Sequence, residues 1–112
     1  MGISNDFLIA CVIRLFNRHE NMIWFNRLCD ILESTISSRN TLSRNLDKLS
    51  DLGIITGDWT KSDSGNWIRS FKISDEAERL IDRIIDTYQV IINFDAHPET
   101  VQFQQNANLK DE

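Results

Sequence analysis

The stretch Thr41-Leu42-Ser43-Arg44-Asn45-Leu46-Asp47-Lys48-Leu49, followed by Asp51-Leu52-Gly53-Ile54-Ile55, decides how this chain folds. Leu42, Leu46 and Leu49 are spaced by four and then three residues, which is the period of an α-helix with one apolar stripe. Gly53 falls just past the last leucine turn, where a positive φ costs glycine little and a helix can stop. Ser37 or Ser38 can cap the start by accepting a backbone N–H. The spacing predicts a helix over 39–52. Upstream, a second amphipathic stretch runs from Met22 to Glu33, with Asn21 as its cap. Ile23, Phe25 or Trp24, Leu28, Ile31 and Leu32 face one side, and Ser34 and Thr35 continue a helix poorly. Helix, short turn, helix is the expected local arrangement.

Beyond Gly53 the period changes from about 3.6 to two. Ile55, Gly57 and Trp59 share one parity, and Trp67, Arg69, Phe71 and Ile73 share it too. Between them lies Lys61-Ser62-Asp63-Ser64-Gly65-Asn66, a turn composition. A hairpin over 55–73 centred near Asp63 would set Trp59 opposite Trp67, Ile55 opposite Phe71 and Arg69 opposite Gly57. The large apolar groups then share one face, which is what selects register.

The two ends read as helices. Ser4 caps a first helix over 5–18, with Phe7, Leu8, Cys11, Val12, Leu15 and Phe16 at helical spacing. Ser74 precedes a long last helix over 75–94. There Ala77, Ile81, Ile84, Tyr88 and Ile91 make a coiled-coil-like seam, broadened by Leu80, Ile85 and Ile92. Residues 95–112 hold the only proline and several Asn and Gln, and are expected to form an acidic, mostly disordered tail. The domain is therefore expected over 1–94. Its class is mainly α with a small β-hairpin wing (α+β).

With 112 residues, 41% of them apolar and 26% charged, the chain can build one hydrophobic core. The longest uncharged apolar run, Phe7 to Ile13, is too short to span a bilayer. No basic leader with a cleavage site precedes it, so no membrane association and a cytoplasmic location are expected. Two cysteines and two distant histidines make neither a disulfide framework nor a zinc site, so no metal and no cofactor are assigned. The net charge of −5 argues against a generally sticky nucleic-acid binder. The charge is uneven: residues 37–72 hold six basic and four acidic groups, whereas residues 73–112 hold three and nine.

Two phrases carry a family resemblance. The Thr41–Leu49 and Asp51–Ile55 segment resembles the recognition helix and first wing strand of MarR-like and PadR-like transcriptional regulators. Phe71-Lys72-Ile73-Ser74-Asp75-Glu76-Ala77 resembles the end of the wing entering the last helix of the same winged helix-turn-helix proteins. The resemblance spans about residues 22–92. It implies a homodimer binding double-stranded DNA, with the third helix in the major groove and the wing near the minor groove. This chain departs from the pattern in being shorter than a typical MarR protein and acidic overall.

Opposite the leucine stripe of the third helix lie Asn40, Arg44, Asp47, Lys48 and Asp51. Winged and simple helix-turn-helix proteins read bases with the N-terminal part of this helix. Arg44 and Asn40 are therefore the candidates for guanine and adenine edges. Ser38, Arg39, Thr41 and Ser43 can donate to phosphates, and Lys48 sits a turn later. On the wing, Lys61 and Arg69 can reach a minor groove. The competing reading has Arg44 and Lys48 as solvated charges paired with Asp47 and Asp51, and Arg69 stacked on Trp59 or Trp67. Trp59 and Trp67 themselves are expected to form wing core. Six to eight phosphate contacts per dimer would give a salt slope of roughly −5 to −7. The dimer interface is assigned to Leu80, Ile81, Ile84, Ile85, Tyr88, Ile91 and Ile92. Arg79, Asp82, Arg83 and Asp86 flank it as candidates for cross-dimer pairs.

Cys11 has only Arg14 in helical reach and Cys29 has no basic residue at helical spacing, so inert buried thiols are expected. The sequence assigns no small-molecule effector. No nucleophile sits in a recognisable catalytic context, and enzymatic activity is not expected. Two functions from different classes remain. One is a homodimeric winged-helix DNA-binding transcriptional regulator reading half-sites about one helical turn apart. The other is a winged-helix module that binds protein and not DNA.

Overall fold

The computed structural model describes residues 3–19, 23–36, 38–96 and 99–103. The element order is α1 (Asn5–His19), β1 (Ile23–Trp24), α2 (Phe25–Ile31), α3 (Arg39–Asp51), β2 (Ile55–Lys61) and β3 (Trp67–Ile73). A 3₁₀ turn (Asp75–Ala77), α4 (Glu78–Tyr88), β4 (Ile91–Asn93) and β5 (Thr100–Gln102) complete it. This is a winged helix-turn-helix architecture in the mixed α+β class.

Helix α1 is the centre of the core. Leu8 to Ile13 are buried without interruption, and Phe16 continues the packing a turn later. A helix apolar on all sides is one enclosed on all sides. Leu28, Ile31 and Leu32 close over it from the α2 side, and Leu42, Leu46 and Leu49 from α3. Ile55, Phe71 and Ile73 close from the sheet, and Ile81 and Ile85 from α4. Asn17 of α1 accepts the Ile73 N–H through Oδ1 at 3.0 Å, tying the end of β3 to the central helix.

The ends of α3 follow the expected chemistry. Ser38 Oγ accepts the Thr41 N–H at 3.2 Å. At the other end Gly53 has φ of 76°, its N–H donates to Ser50 O, and the Ile54 N–H donates to Leu49 O. Those two bonds are a Schellman motif, which satisfies the last carbonyls of the helix and turns the chain into β2. The two other proposed caps, Asn21 and Ser37, lie outside the described residues, as does Met22.

The sheet has the order β1-β3-β2, all antiparallel. Its register corrects the expected pairing. Ile55 pairs with Ile73, Gly57 with Phe71, Trp59 with Arg69 and Lys61 with Trp67. The loop closes one residue later than expected because Gly65 takes φ of 91° and Ser62 bonds back to Asn66 through both its N–H and its Oγ. Moving the centre by one residue shifts the partners by two, so the apolar face is kept. Strand β1 replaces the start of the expected second helix. Trp24 is extended, with φ −120° and ψ 172°, and Ile23 pairs with Phe71. Two residues are too few to show an alternating pattern.

The expected helix over 75–94 is also corrected. It starts with a 3₁₀ turn and α4 ends at Tyr88, where Gln89 adopts a left-handed φ of 53°. The residues after it, Val90, Ile91 and Ile92, are β-branched and favour a strand. Ile92 pairs with Val101 and Ile91 with Gln102. Disorder from residue 95 is therefore not found at Thr100–Gln102. The rest of that tail, 104–112 together with His97 and Pro98, lies outside the described residues. Phe94 stacks on His19 at 4.0 Å and meets Phe16 edge-on at 5.0 Å, and Arg27 bonds Glu99, so this segment folds back onto α1 and α2.

Candidate nucleic-acid interface

Helix α3 presents one buried and one solvated face. Leu42, Leu46 and Leu49 are buried, and Asn40, Ser43, Arg44, Asp47, Lys48 and Asp51 are exposed. The periodicity requires this division, since residues three and four apart stack on one side. The exposed side chains differ in how they are held. Arg44 makes no hydrogen bond or ion pair among the described residues. Lys48 pairs with Asp6 of α1 at 2.9 Å, not with Asp47 or Asp51. Arg39 leans away toward α2: its Nη2 donates to Asn26 Oδ1 at 2.6 Å and its guanidinium lies 5.1 Å from the Phe25 ring centre. Ser38 is occupied as the cap, and Thr41 is half-buried.

The wing supplies two further cations. Lys61 is exposed near the tip, 6.0 Å from the ring centre of Trp67. Arg69 is half-buried, with its guanidinium 5.3 Å from the centre of Phe71. It fills the space left by Gly57, where a Cβ would lie 2.5 Å from Arg69 Nε. In the competing reading Arg69 stacks on Trp59 or Trp67; the ring it lies over is Phe71. The missing side chain at Gly57, diagonal to Arg69 across the strands, is what admits the guanidinium. Trp59 and Trp67 do not form wing core, being 66% and 63% exposed.

Between the wing and α3 lies a groove of about 360 Å³, with Ser43, Leu46 and Asp47 on one wall and Trp59, Trp67 and Arg69 on the other. Trp24, Phe25 and Asn26 also line it. Sequence reasoning missed these three. The signal available was Ile23-Trp24-Phe25 itself, a β-branched and aromatic run read as the start of a helix. It also missed Asp6 as the partner of Lys48, since a contact between α1 and α3 has no local signature.

The expected dimer residues are divided by the fold. Ile81 and Ile85 are buried in the chain's own core and are not open to a partner. Ile91 and Ile92 stand on β4, not on the helix. Leu80 is 49% exposed and Ile91 58%, whereas Ile84, Tyr88 and Ile92 are half-buried. Asp82, expected at a cross-dimer pair, instead binds Arg14 and Arg18 of its own chain.

The two thiols differ in burial. Burial, and then the Asp82 carboxylate, push the Cys11 thiol up to about 12. Cys29 is half-buried and is also raised, first by burial, with Arg39 opposing. Neither has the lowered pKa of a reactive thiolate. Among the described residues no group of three His, Cys, Asp or Glu could hold a metal, and no helix is long and apolar enough to cross a membrane.

No protein-family model matches the chain, and no curated protein does. Solved structures do. The circadian clock associated protein Pex from Anabaena is 20% identical, with a TM-score of 0.60 over 78% of each chain. Pex from Synechococcus sp. (strain PCC 7942) (Anacystis nidulans R2) is 24% identical, with a TM-score of 0.53 over 75% of this chain and 80% of that one. At these identities the likeness is one of fold, and it extends over most of the described chain.

Proposed function

We propose that this protein is a non-enzymatic, double-stranded DNA-binding transcriptional regulator acting as a homodimer. Helix α3 enters the major groove and the wing, residues 55–73, lies beside the minor groove. The observation that carries this reading is the exposed face of α3, with Arg44 unpaired among the described residues beside a protruding two-stranded wing. Asn40 and Arg44 read base edges; Ser43 and Lys48 contact the backbone; Lys61 and Arg69 serve the wing. The fold shared with the circadian clock associated protein Pex supports the regulatory assignment, and the local excess of basic groups over 37–72 supports the anionic partner.

Half-buried Ile84 and Tyr88, with exposed Leu80, form the strip of α4 left for a second copy. A dimer doubles the phosphate contacts and makes useful affinity reachable for an acidic chain. The test is fluorescence anisotropy of a labelled duplex across a salt series. Binding that weakens with salt and collapses in Arg44→Ala/Asn40→Ala supports the reading. Duplex binding absent at low salt, with the protein folded, rejects it and leaves the protein-binding module.

A further inference from the structure

All three tryptophans of the chain, Trp24, Trp59 and Trp67, line the one groove between the wing and α3. They come from three different strands, so the clustering is a product of the fold and not of local sequence. Two of them leave about two-thirds of their surface in solvent. Exposed aromatic side chains gathered at one groove mark binding sites on soluble proteins. The groove volume of about 360 Å³ falls within the about 300–1,000 Å³ of small-ligand pockets.

The polar groups on the walls narrow the ligand. Indole faces take a flat ring. Arg69 carries no ion pair among the described residues, and Lys61 stands at the rim near Trp67. The lining itself holds one cation, Arg69, and one carboxylate, Asp47, on the opposite wall. Lys61, outside the lining but beside Trp67, adds a second positive charge at the mouth. The balance favours an anion. Asp47 can only accept hydrogen bonds when ionised, so the ligand must also present N–H groups at one edge. A simple aromatic acid has the ring and the charge but no such edge. A purine nucleotide has all three, and guanine offers two adjacent donors that match the two oxygens of a carboxylate.

We propose that this groove binds a free guanine nucleotide, with the base against Trp59 and Trp67, its N–H edge at Asp47 and its phosphate at Arg69. The groove shares Ser43, Arg69 and the rim cation Lys61 with the proposed DNA face, but Arg44 and Asn40 lie outside it. Nucleotide binding is measured without DNA, so its failure is read separately from a failure of duplex binding.

The experiment follows the three indole N–H resonances of the full chain by NMR while GMP is added. Expected are saturable shifts of the Trp59 and Trp67 signals, with guanosine weaker than GMP and benzoate without effect. Arg69→Gln should bring GMP down to the affinity of guanosine. Asp47→Asn should weaken GMP about tenfold, the size of a lost two-point hydrogen bond. Both positions are solvent-facing or half-buried, so an otherwise unchanged spectrum reports an intact fold. The proposal is overturned by no shift at millimolar GMP, by benzoate binding as tightly as GMP, or by full GMP affinity in Arg69→Gln.

Discussion

Arg14 of α1 grips Asp82 of α4 through two hydrogen bonds, Nε to Oδ1 at 2.8 Å and Nη2 to Oδ2 at 3.2 Å. Arg18 reaches the same carboxylate, and Glu78 stands 3.5 Å from Arg14. The Arg14 hydrogen bonds, then those of Arg18, hold the Asp82 carboxyl below its ordinary value. A depressed folded pKa means stability that is present at neutral pH and lost as pH falls below about 4, through the folded value. Asp82→Asn should cost about 1–2 kcal/mol at pH 7, since the site is partly exposed and screened. In thermal melts its Tm should lie roughly 4–8 °C below the parent at pH 7. The gap should narrow progressively as pH falls below about 4. An equal gap at neutral and at acid pH would show that the carboxylate charge contributes nothing.

Gly53 and Gly57 make opposite predictions from what a new Cβ would meet. At Gly53 a Cβ meets nothing within 4 Å, yet φ is 76°. Gly53→Ala should therefore destabilise by about 1 kcal/mol through backbone strain alone. At Gly57 the Cβ would collide with Arg69, but with the far end of a flexible side chain. Gly57→Ala should change stability by less than about 1 kcal/mol while displacing the guanidinium. Urea denaturation separates the two; a larger loss at Gly57 than at Gly53 would contradict this account.

Arg44→Ala should weaken duplex binding about five- to a hundredfold if Arg44 makes a two-point contact with a guanine. The loss should be smaller on a duplex lacking the preferred site. A uniform loss on every duplex, with a reduced salt slope, would reassign Arg44 to the phosphates.

Asp6 holds Lys48 in an ion pair, and under the proposed DNA reading it would compete with phosphate for that ammonium. Asp6→Asn removes the competitor and one negative charge near the backbone. Duplex affinity at low salt should rise about two- to fivefold, in line with the small worth of exposed ion pairs. Unchanged affinity would remove Lys48 from the interface.

Leu80→Glu places a charge on the exposed strip of α4. The sedimentation profile should shift from dimer to monomer, with the Tm of the isolated protomer within a few degrees of the parent, because Leu80 is half-exposed. A dimer that survives this change would move the interface away from α4.

Helices α1 and α3 were legible because each carries a long 3.6-residue pattern with a local stop or cap. Ser38 and Gly53 are such signals, and both act within a few residues of themselves. Wing parity was legible for the same reason: alternation survives a shift of two. The hairpin centre was not, because it depends on how Ser62, Gly65 and Asn66 close the loop. The span of the last helix was misread because Ile91 and Ile92 continue a helical spacing while their β-branched neighbours and a strand partner at 100–102 pull them into β4.

The candidate site was legible as a list of cations on one helix face, but not as an arrangement. That Lys48 is tied to Asp6, that Arg39 turns toward Asn26, and that Arg69 occupies the space at Gly57 are all contacts between elements distant in sequence. Local periodicity and capping act over one or two turns, so the chain order alone determined helices α1 and α3, the parity of the wing and the solvated face of α3. Packing between elements distant in sequence decided which charges remain open, which isoleucines are spent in the core, and that three tryptophans from separate strands meet in one groove.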